Sequence, residues 1–245
     1  MSIWGKIIGG TAGFALGGPI GAIIGMMVGG SFDRTAKRFS HKKKINPKQK
    51  QNIFALSIII LSAKISKADG HVSKDEIFAF KEKFKIPNEE MSDVGRIFNE
   101  AKKSTEGFEQ IANQVGLLFN DNKILLEELL NNLFYIAESD GNTSVKEIEI
   151  LKSISNSFGL SETDFQRILH SRLNNRDSDP YKVLGVSRDN NDSFIRKKWI
   201  QLNKEHHPDN LIAKGLPQEF IDQANNELSA INIAYDKIKN QRGIN

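Results

Sequence analysis

The feature that most constrains this chain is an uncharged run close to its first residue. No charged residue occurs from Ile7 to Phe32, a stretch of 26 residues. A helix needs roughly 20 apolar residues to cross the hydrocarbon core of a bilayer, so the sequence predicts a transmembrane helix within 1–33. A cleaved signal peptide would carry its basic residues before a shorter apolar core, whereas only Lys6 precedes this run.

Basic residues follow the apolar run instead. Residues 34–50 contain eight Lys and Arg side chains and no acidic one, which predicts a basic juxtamembrane segment over 34–45. The positive-inside rule then places the N-terminus outside and the rest of the chain in the cytoplasm, with Trp4 as an interfacial anchor. Because the basic excess lies in one short stretch, we expect no nucleic-acid partner.

Glycines recur at every fourth position of the same run. Small residues at this spacing form a groove along one helix face and let a second helix approach closely. We therefore predict a packing face that makes the chain a homodimer within the bilayer. Pro19 leaves two alternatives, a kinked helix or a re-entrant hairpin. The glycines in register are Gly5, Gly9, Gly13, Gly17, Gly21, Gly25 and Gly29.

Residues 46–173 read as helices, and one segment occurs twice. Residues 67–77 match 138–148 at a constant offset of 71 residues, which indicates a duplicated helix–turn–helix unit. Each copy contains Asp-Gly followed by Glu, as in a calcium loop, but an isoleucine occupies the first ligand position. Capping boxes, formed in the second copy by Ser144 and Glu147, explain the same residues better. We therefore predict no metal site.

The repeat resembles the TerB-like (tellurite-resistance B) domain, an all-helical module with acidic Asp-Gly turns. That resemblance keeps open an alternative function for the chain. In it the protein is a membrane-tethered sensor or scaffold whose middle domain binds a metal or an envelope component, and the C-terminal domain is secondary.

After a linker at 174–178, residues 179–245 begin with Asp-Pro-Tyr-Lys-Val-Leu-Gly-Val. A helix is predicted from about Asp192 to His206, with a buried stripe that ends at His206. His-Pro-Asp comes next, and a second long helix is predicted to start at Pro217. These patterns predict a helical hairpin with His207, Pro208 and Asp209 in an exposed loop at its tip.

These residues and their order resemble the J domain of the DnaJ family. The resemblance implies that His207, Pro208 and Asp209 contact an Hsp70 of the DnaK type and stimulate its ATP hydrolysis, with no nucleotide or other cofactor held by the chain. Arg196, Lys197 and Lys204 lie on the helix face opposite the buried stripe. We predict that they form the basic part of the same Hsp70-binding surface.

The whole layout is similar to that of DjlA-type co-chaperones, which implies an all-α protein in the inner membrane of a bacterium. The chain departs from that family at Ile200 and Gln201, where Lys or Arg is usual, and at Trp199, which replaces a tyrosine. Weaker attraction to an acidic partner is the expected consequence. An enzyme acting through His206 and His207 lacks a third catalytic group nearby in sequence, so we expect no catalytic residues.

Overall fold

The computed structural model describes residues 3–4, 20–21, 47–69, 80–82, 84–103, 107–138, 143–172 and 178–243. Within these ranges the protein is helical and contains no strand, as the sequence predicts. No helix in the described ranges combines the length and the apolar character that a bilayer crossing requires. Almost all of the predicted transmembrane segment, the basic segment at 34–45 and most of the linker at 174–178 lie outside the described residues.

Six α-helices of the middle domain lie wholly within the described residues, and residues 80–82 are also helical. A 3-10 turn at Asn88–Glu90 precedes the second of them. The helices are α1 (Pro47–Asp69), α2 (Met91–Lys103), α3 (Phe108–Leu118), α4 (Lys123–Ala137), α5 (Val145–Ser157) and α6 (Glu162–Arg172).

Helix α1 lies at the centre of this domain, because its run from Ile53 to Leu61 is apolar nearly all round and is buried throughout. At the start of α5, the backbone N–H of Glu147 donates to the hydroxyl of Ser144 (3.1 Å), and the N–H of Ser144 donates to the carboxylate of Glu147 (2.8 Å). The predicted capping box is therefore confirmed in the second copy of the repeat. In the first copy the corresponding residues lie outside the described ranges.

The C-terminal domain contains α7 (Pro180–Leu184), α8 (Asp192–Glu205), α9 (Pro208–Lys214) and α10 (Ile221–Arg242). Its second long helix was predicted to start at Pro217. Instead, a 3-10 turn at Gln218–Phe220 comes first and α10 begins at Ile221. The core of the hairpin joins α7, α8 and the second half of α10. There Trp199 stacks on Tyr235, with ring centroids 4.3 Å apart.

The two domains share apolar packing at the tip of the hairpin. Leu211 of α9, Leu216 and Phe220 of the following turn, and Ala224 of α10 belong to the core of the middle domain. The Phe220 ring lies 5.2 Å from that of Phe54 in α1. The tip therefore packs into the middle domain, and Phe220 and Ala224 belong to that core and not to the core of the hairpin.

Two predictions about the N-terminal segment concern described residues. Trp4 was expected at a membrane interface, but its ring is fully buried and lies 5.7 Å from the ring of Phe220. The interfacial placement is therefore wrong in this structure, because the indole has aromatic partners in the protein core. Of the seven glycines in register, only Gly21 is described, and it is helical and buried. The other six lie outside the described residues.

Candidate functional site at the tip of the C-terminal hairpin

The His-Pro-Asp sequence forms the first turn of α9. His207 is the residue before the helix, with an extended backbone, and its Nδ1 accepts a hydrogen bond from the backbone N–H of Asp209 (3.2 Å). Pro208 occupies the first helical position, where its missing N–H costs nothing. The predicted irregular loop is thus wrong in detail, since the break after α8 is immediately followed by a new helix.

His207 and Asp209 point into solvent. Their side chains are 55% and 90% exposed, and Nδ1 of His207 lies 3.8 Å from a carboxylate oxygen of Asp209. Pro208 between them is half-buried. The structure therefore brings the three predicted contact residues together in one short, accessible turn.

The three predicted basic residues lie on the exposed face of α8. Arg196, Lys197 and Lys204 are all exposed, and at about 100° per residue they span an arc of about 100° on the helix. Within the described part of the chain, none of them forms an ion pair with a carboxylate. Ile200 lies inside the same arc and is 50% exposed, so this basic face has an apolar centre.

The opposite flank of α8 faces the middle domain across a cleft of about 460 Å³. Lys198 and Gln201 line it from α8, and Lys123 and Asp164 line it from the middle domain. Gln201 therefore lies outside the basic face. Of the two positions where Lys or Arg is usual in the family, only Ile200 falls among Arg196, Lys197 and Lys204.

Polar contacts accompany the apolar docking of the tip. The side-chain amide of Asn122 donates to the backbone carbonyl of Lys214 (3.2 Å). At the start of α10, Asp222 pairs with Lys85 on the surface (2.6 Å). Gly215, which ends α9 with φ of 107°, allows the turn that brings Leu216 into the middle domain.

Directly beneath the His-Pro-Asp turn is a buried group of ionisable side chains, here called the charged cluster. His206 and Glu227 come from the C-terminal domain, whereas Glu127, Glu128 and Arg167 come from the middle domain. His206, Glu128 and Glu227 have no solvent exposure at their side chains, and Arg167 is 3% exposed. The cluster is therefore a charged interface between the two domains.

Its contacts cross that interface in both directions. Nδ1 of His206 lies 3.0 Å from Oε1 of Glu128. The guanidinium of Arg167 donates to Glu127 (2.5 Å) within its own domain and to Glu227 in the other. Nε2 of His206 lies 3.4 Å from Oε2 of Glu127, without a hydrogen bond. One cation and one imidazole thus bridge three carboxylates.

The cluster shifts the pKa values of its own members. Burial and the neighbouring Arg167 lower the pKa of His206, but the carboxylates of Glu227, Glu127 and Glu128 together raise it to about 9. Burial raises the pKa of Glu127, and Arg167 and His206 outweigh it and lower that pKa to about 2. For Glu128 burial prevails, so its pKa is raised.

Sequence reasoning found His206, on the buried stripe of α8, but missed the four residues around it. A signal was present in α4, where Glu127 and Glu128 interrupt the apolar run Ile-Leu-Leu-Glu-Glu-Leu-Leu. Two carboxylates inside such a run require partners once the helix is buried. Arg167 is a charged residue next to the buried Ile168, so it too requires a charged partner once its helix is buried.

Comparison with known proteins agrees with this arrangement along nearly the whole chain. Residues 1–47 match the co-chaperone DjlA transmembrane domain, residues 55–170 match the tellurite resistance protein TerB, and residues 179–243 match the DnaJ domain. The chain is similar to DjlA-type J-domain proteins along its whole length and carries matches to their three domains. These matches support a membrane-anchored J-domain co-chaperone with a chaperone partner.

Curated relatives align over almost the full length of both partners. The co-chaperone protein DjlA of Coxiella burnetii is 29% identical over 100% of each chain. That of Photobacterium profundum is 28% identical over 98% of this chain and 99% of its own. No solved structure gives a significant match.

Proposed function

We propose that this protein is a membrane-anchored co-chaperone that stimulates ATP hydrolysis by a cytoplasmic Hsp70 of the DnaK type. The observation that carries the proposal is the exposed turn of His207, Pro208 and Asp209, held at the end of α8 beside the basic face. The match of 179–243 to the DnaJ domain supports it independently of that geometry.

The basic face supplies the electrostatic part of the proposed contact. Arg196, Lys197 and Lys204 lie beside the His-Pro-Asp turn and carry no competing carboxylate among the described residues, so their field is available to an acidic partner. Complementary charge raises the association rate and fixes the orientation of the partner. Ile200 adds an apolar contact at the centre of this face and lowers its charge density.

In this proposal the chain performs no chemical step of its own. His206, one of the two adjacent histidines, is sealed in the charged cluster and cannot reach a substrate. The exposed His207 has Asp209 as its neighbour and supports the backbone of α9 rather than a nucleophile. ATP is hydrolysed by the partner, and the turn acts by contact.

The proposal also includes a topology and an oligomeric state. The apolar run over 1–33 anchors the chain in the bacterial inner membrane with the N-terminus outside, since the basic residues follow the run. This topology requires Trp4 to leave its contact with Phe220 when the run inserts into the bilayer. The glycines spaced four apart form a packing face on which two copies associate within the bilayer. The match of 1–47 to the DjlA transmembrane domain supports the anchor.

The central test measures ATP turnover by a purified DnaK-type Hsp70 with full-length protein in detergent micelles. We expect His207→Gln and Asp209→Asn to abolish stimulation, because each removes a contact group from the exposed turn. His170→Gln and Asp189→Asn are matched controls in the same chain, outside the turn, and should stimulate normally. Near-normal stimulation by His207→Gln would refute the mechanism.

The basic face has a test of its own. Lys197→Glu reverses one exposed charge of α8, whereas Lys182→Glu reverses an exposed charge on α7 at the other end of the hairpin. We expect a lower association rate with Hsp70 for the first variant only, and a smaller difference at high salt, where charges farther apart than about 3–8 Å are screened. Equal rates for both variants would remove this face from the proposal.

A further inference from the structure

Three atoms of the charged cluster are buried and have no hydrogen-bond partner in the described structure. They are Oε2 of Glu128, Oε2 of Glu227 and Nε2 of His206. All three side chains are fully buried. Buried polar groups are nearly always satisfied, so the two carboxylate oxygens without a partner in one cluster indicate that something further binds there.

The donor atoms of these residues have the spacing of a ligand set. One atom from each of Glu128, His206 and Glu227 can be chosen so that all lie within 4.8 Å of one another. Nδ1 of His206 is 3.0 Å from Oε1 of Glu128 and 3.9 Å from Oε1 of Glu227. Ligands about 2.0–2.2 Å from a tetrahedral Zn²⁺ ion are about 3.3–3.6 Å apart, so small side-chain movements suffice.

The second nitrogen of the imidazole also faces a suitable partner. Nε2 of His206 lies 3.4 Å from Oε2 of Glu127. A histidine that binds a metal through one nitrogen usually donates its other N–H to a carboxylate, which fixes the ring and its tautomer. Glu127 is placed for that role, while Nδ1 faces Glu128 and Glu227.

The net formal charge of the cluster is compatible with a bound divalent cation. Glu127, Glu128 and Glu227 carry three negative charges when ionised, and Arg167 neutralises one of them through its pairs with Glu127 and Glu227. An ion bound to the imidazole displaces its proton. The remainder is then two negative charges, which a divalent ion balances.

We propose that Glu128, His206 and Glu227 bind one divalent transition-metal ion, with Zn²⁺ as the ion best suited to one imidazole and two carboxylates. Glu128 belongs to the middle domain and the other two ligands to the C-terminal domain. The ion therefore ties the two domains together directly beneath His207. The site is separate from the Asp-Gly turns of the sequence repeat, and it does not depend on the proposed action on Hsp70.

The first experiment uses the full-length protein in detergent, stripped of metal by a chelator and titrated with Zn²⁺ in a calorimeter. We expect one tight site per chain. Binding to the folded state alone should raise the thermal unfolding midpoint by about 5–10 °C at a free Zn²⁺ concentration of a hundred times the dissociation constant. No binding below millimolar Zn²⁺, or binding without an upward shift, would overturn the proposal.

Variants then locate the site. His206→Gln, Glu128→Gln and Glu227→Gln each remove one ligand at nearly constant volume, and each should weaken Zn²⁺ binding at least tenfold. His207→Gln controls for adventitious binding at the exposed histidine, and Glu138→Gln controls for loss of a carboxylate elsewhere on the middle domain. Both should keep the tight site. Unchanged binding in the first three variants would place the ion elsewhere and overturn the assignment.

A measurement on the unmodified protein covers the case in which a variant does not fold. X-ray absorption at the zinc edge counts the imidazole ligands of the bound ion directly. The proposal requires one imidazole and otherwise oxygen ligands at about 2.0–2.2 Å. Two or more imidazoles, or a shell of water oxygens alone, would show that Zn²⁺ does not occupy the charged cluster.

Discussion

Replacing Arg167 by methionine tests whether the charged cluster holds the two domains together. Arg167 is 3% exposed and donates to Glu127 in the middle domain and to Glu227 in the C-terminal domain. Methionine fills much of the same volume without the charge, so the buried carboxylates lose the guanidinium that neutralises them. Removing one partner of a buried ion pair costs about 3–5 kcal/mol of unfolding free energy.

That cost predicts a measurable shift in thermal stability. For a domain of 150–250 residues, each kcal/mol lowers the unfolding midpoint by about 2–4 °C, so Arg167→Met should lower it by about 6–20 °C. The assay is thermal unfolding followed by circular dichroism, in detergent with a chelator present so that no metal compensates. Arg96→Met is the matched control, because its pair with Asp93 is exposed and should contribute about 0–1 kcal/mol.

A double variant then shows whether the effect passes through the interface. Glu227→Gln removes one of the carboxylates that Arg167 neutralises, so the two substitutions should cost less together than the sum of their separate costs. The expected coupling is about 0.5–3 kcal/mol, as for residues in one network. Additive costs, or equal shifts for Arg167→Met and Arg96→Met, would refute the idea that these charges join the domains.

Three further predictions concern separate parts of the chain. In metal-free protein the pKa of His206 is raised to about 9 from an ordinary value near 6.5, so its contribution to stability is fully present below pH 6.5 and is lost as pH rises through 9. The thermal unfolding midpoint of the wild type should therefore fall across that pH range, and that of His206→Gln should fall less. Ile200→Lys should tighten Hsp70 binding at low salt and have little effect at high salt, and binding isotherms showing no change would contradict the electrostatic account of the basic face. Gly9→Leu with Gly25→Leu should abolish self-association in detergent or bilayers while insertion persists, whereas Gly10→Leu, outside the register, should preserve both.

The sequence predicted the burial and the ends of a helix well where the residues of that helix alone determine them. Residues 46–173 were predicted to be helical, and the run from Ile53 to Leu61, apolar nearly all round, is buried in α1. The stripe that ends at His206 indicated the inner face of α8, and His206 is fully buried. Proline after His207 indicated the break between helices, and α8 ends at Glu205. Each of these signals depends on residues within a few turns of one another.

The contact between domains could not be predicted in the same way. Glu128 and Glu227 are far apart in the chain, and nothing in either local pattern indicates that their side chains meet. Phe220 is an apolar residue just before α10, but a local apolar pattern does not show which surface covers it. It packs on Phe54 of the middle domain rather than within the hairpin. The cluster therefore depends on tertiary docking that local periodicity does not encode.

The apolar contact between the hairpin tip and the middle domain limits which J domains from other proteins could replace this one. Leu211, Leu216, Phe220 and Ala224 are fully buried in the core of the middle domain. A J domain grafted in from another protein would have to present matching side chains there, or leave a cavity lined by α1 and α4. Conversely, a fragment cut at the linker would carry an uncovered apolar patch beside the very turn that it should present to its partner. The smallest transplantable unit of this protein is therefore the pair of domains, and chimeras designed at the linker should aggregate where chimeras that carry both domains remain soluble.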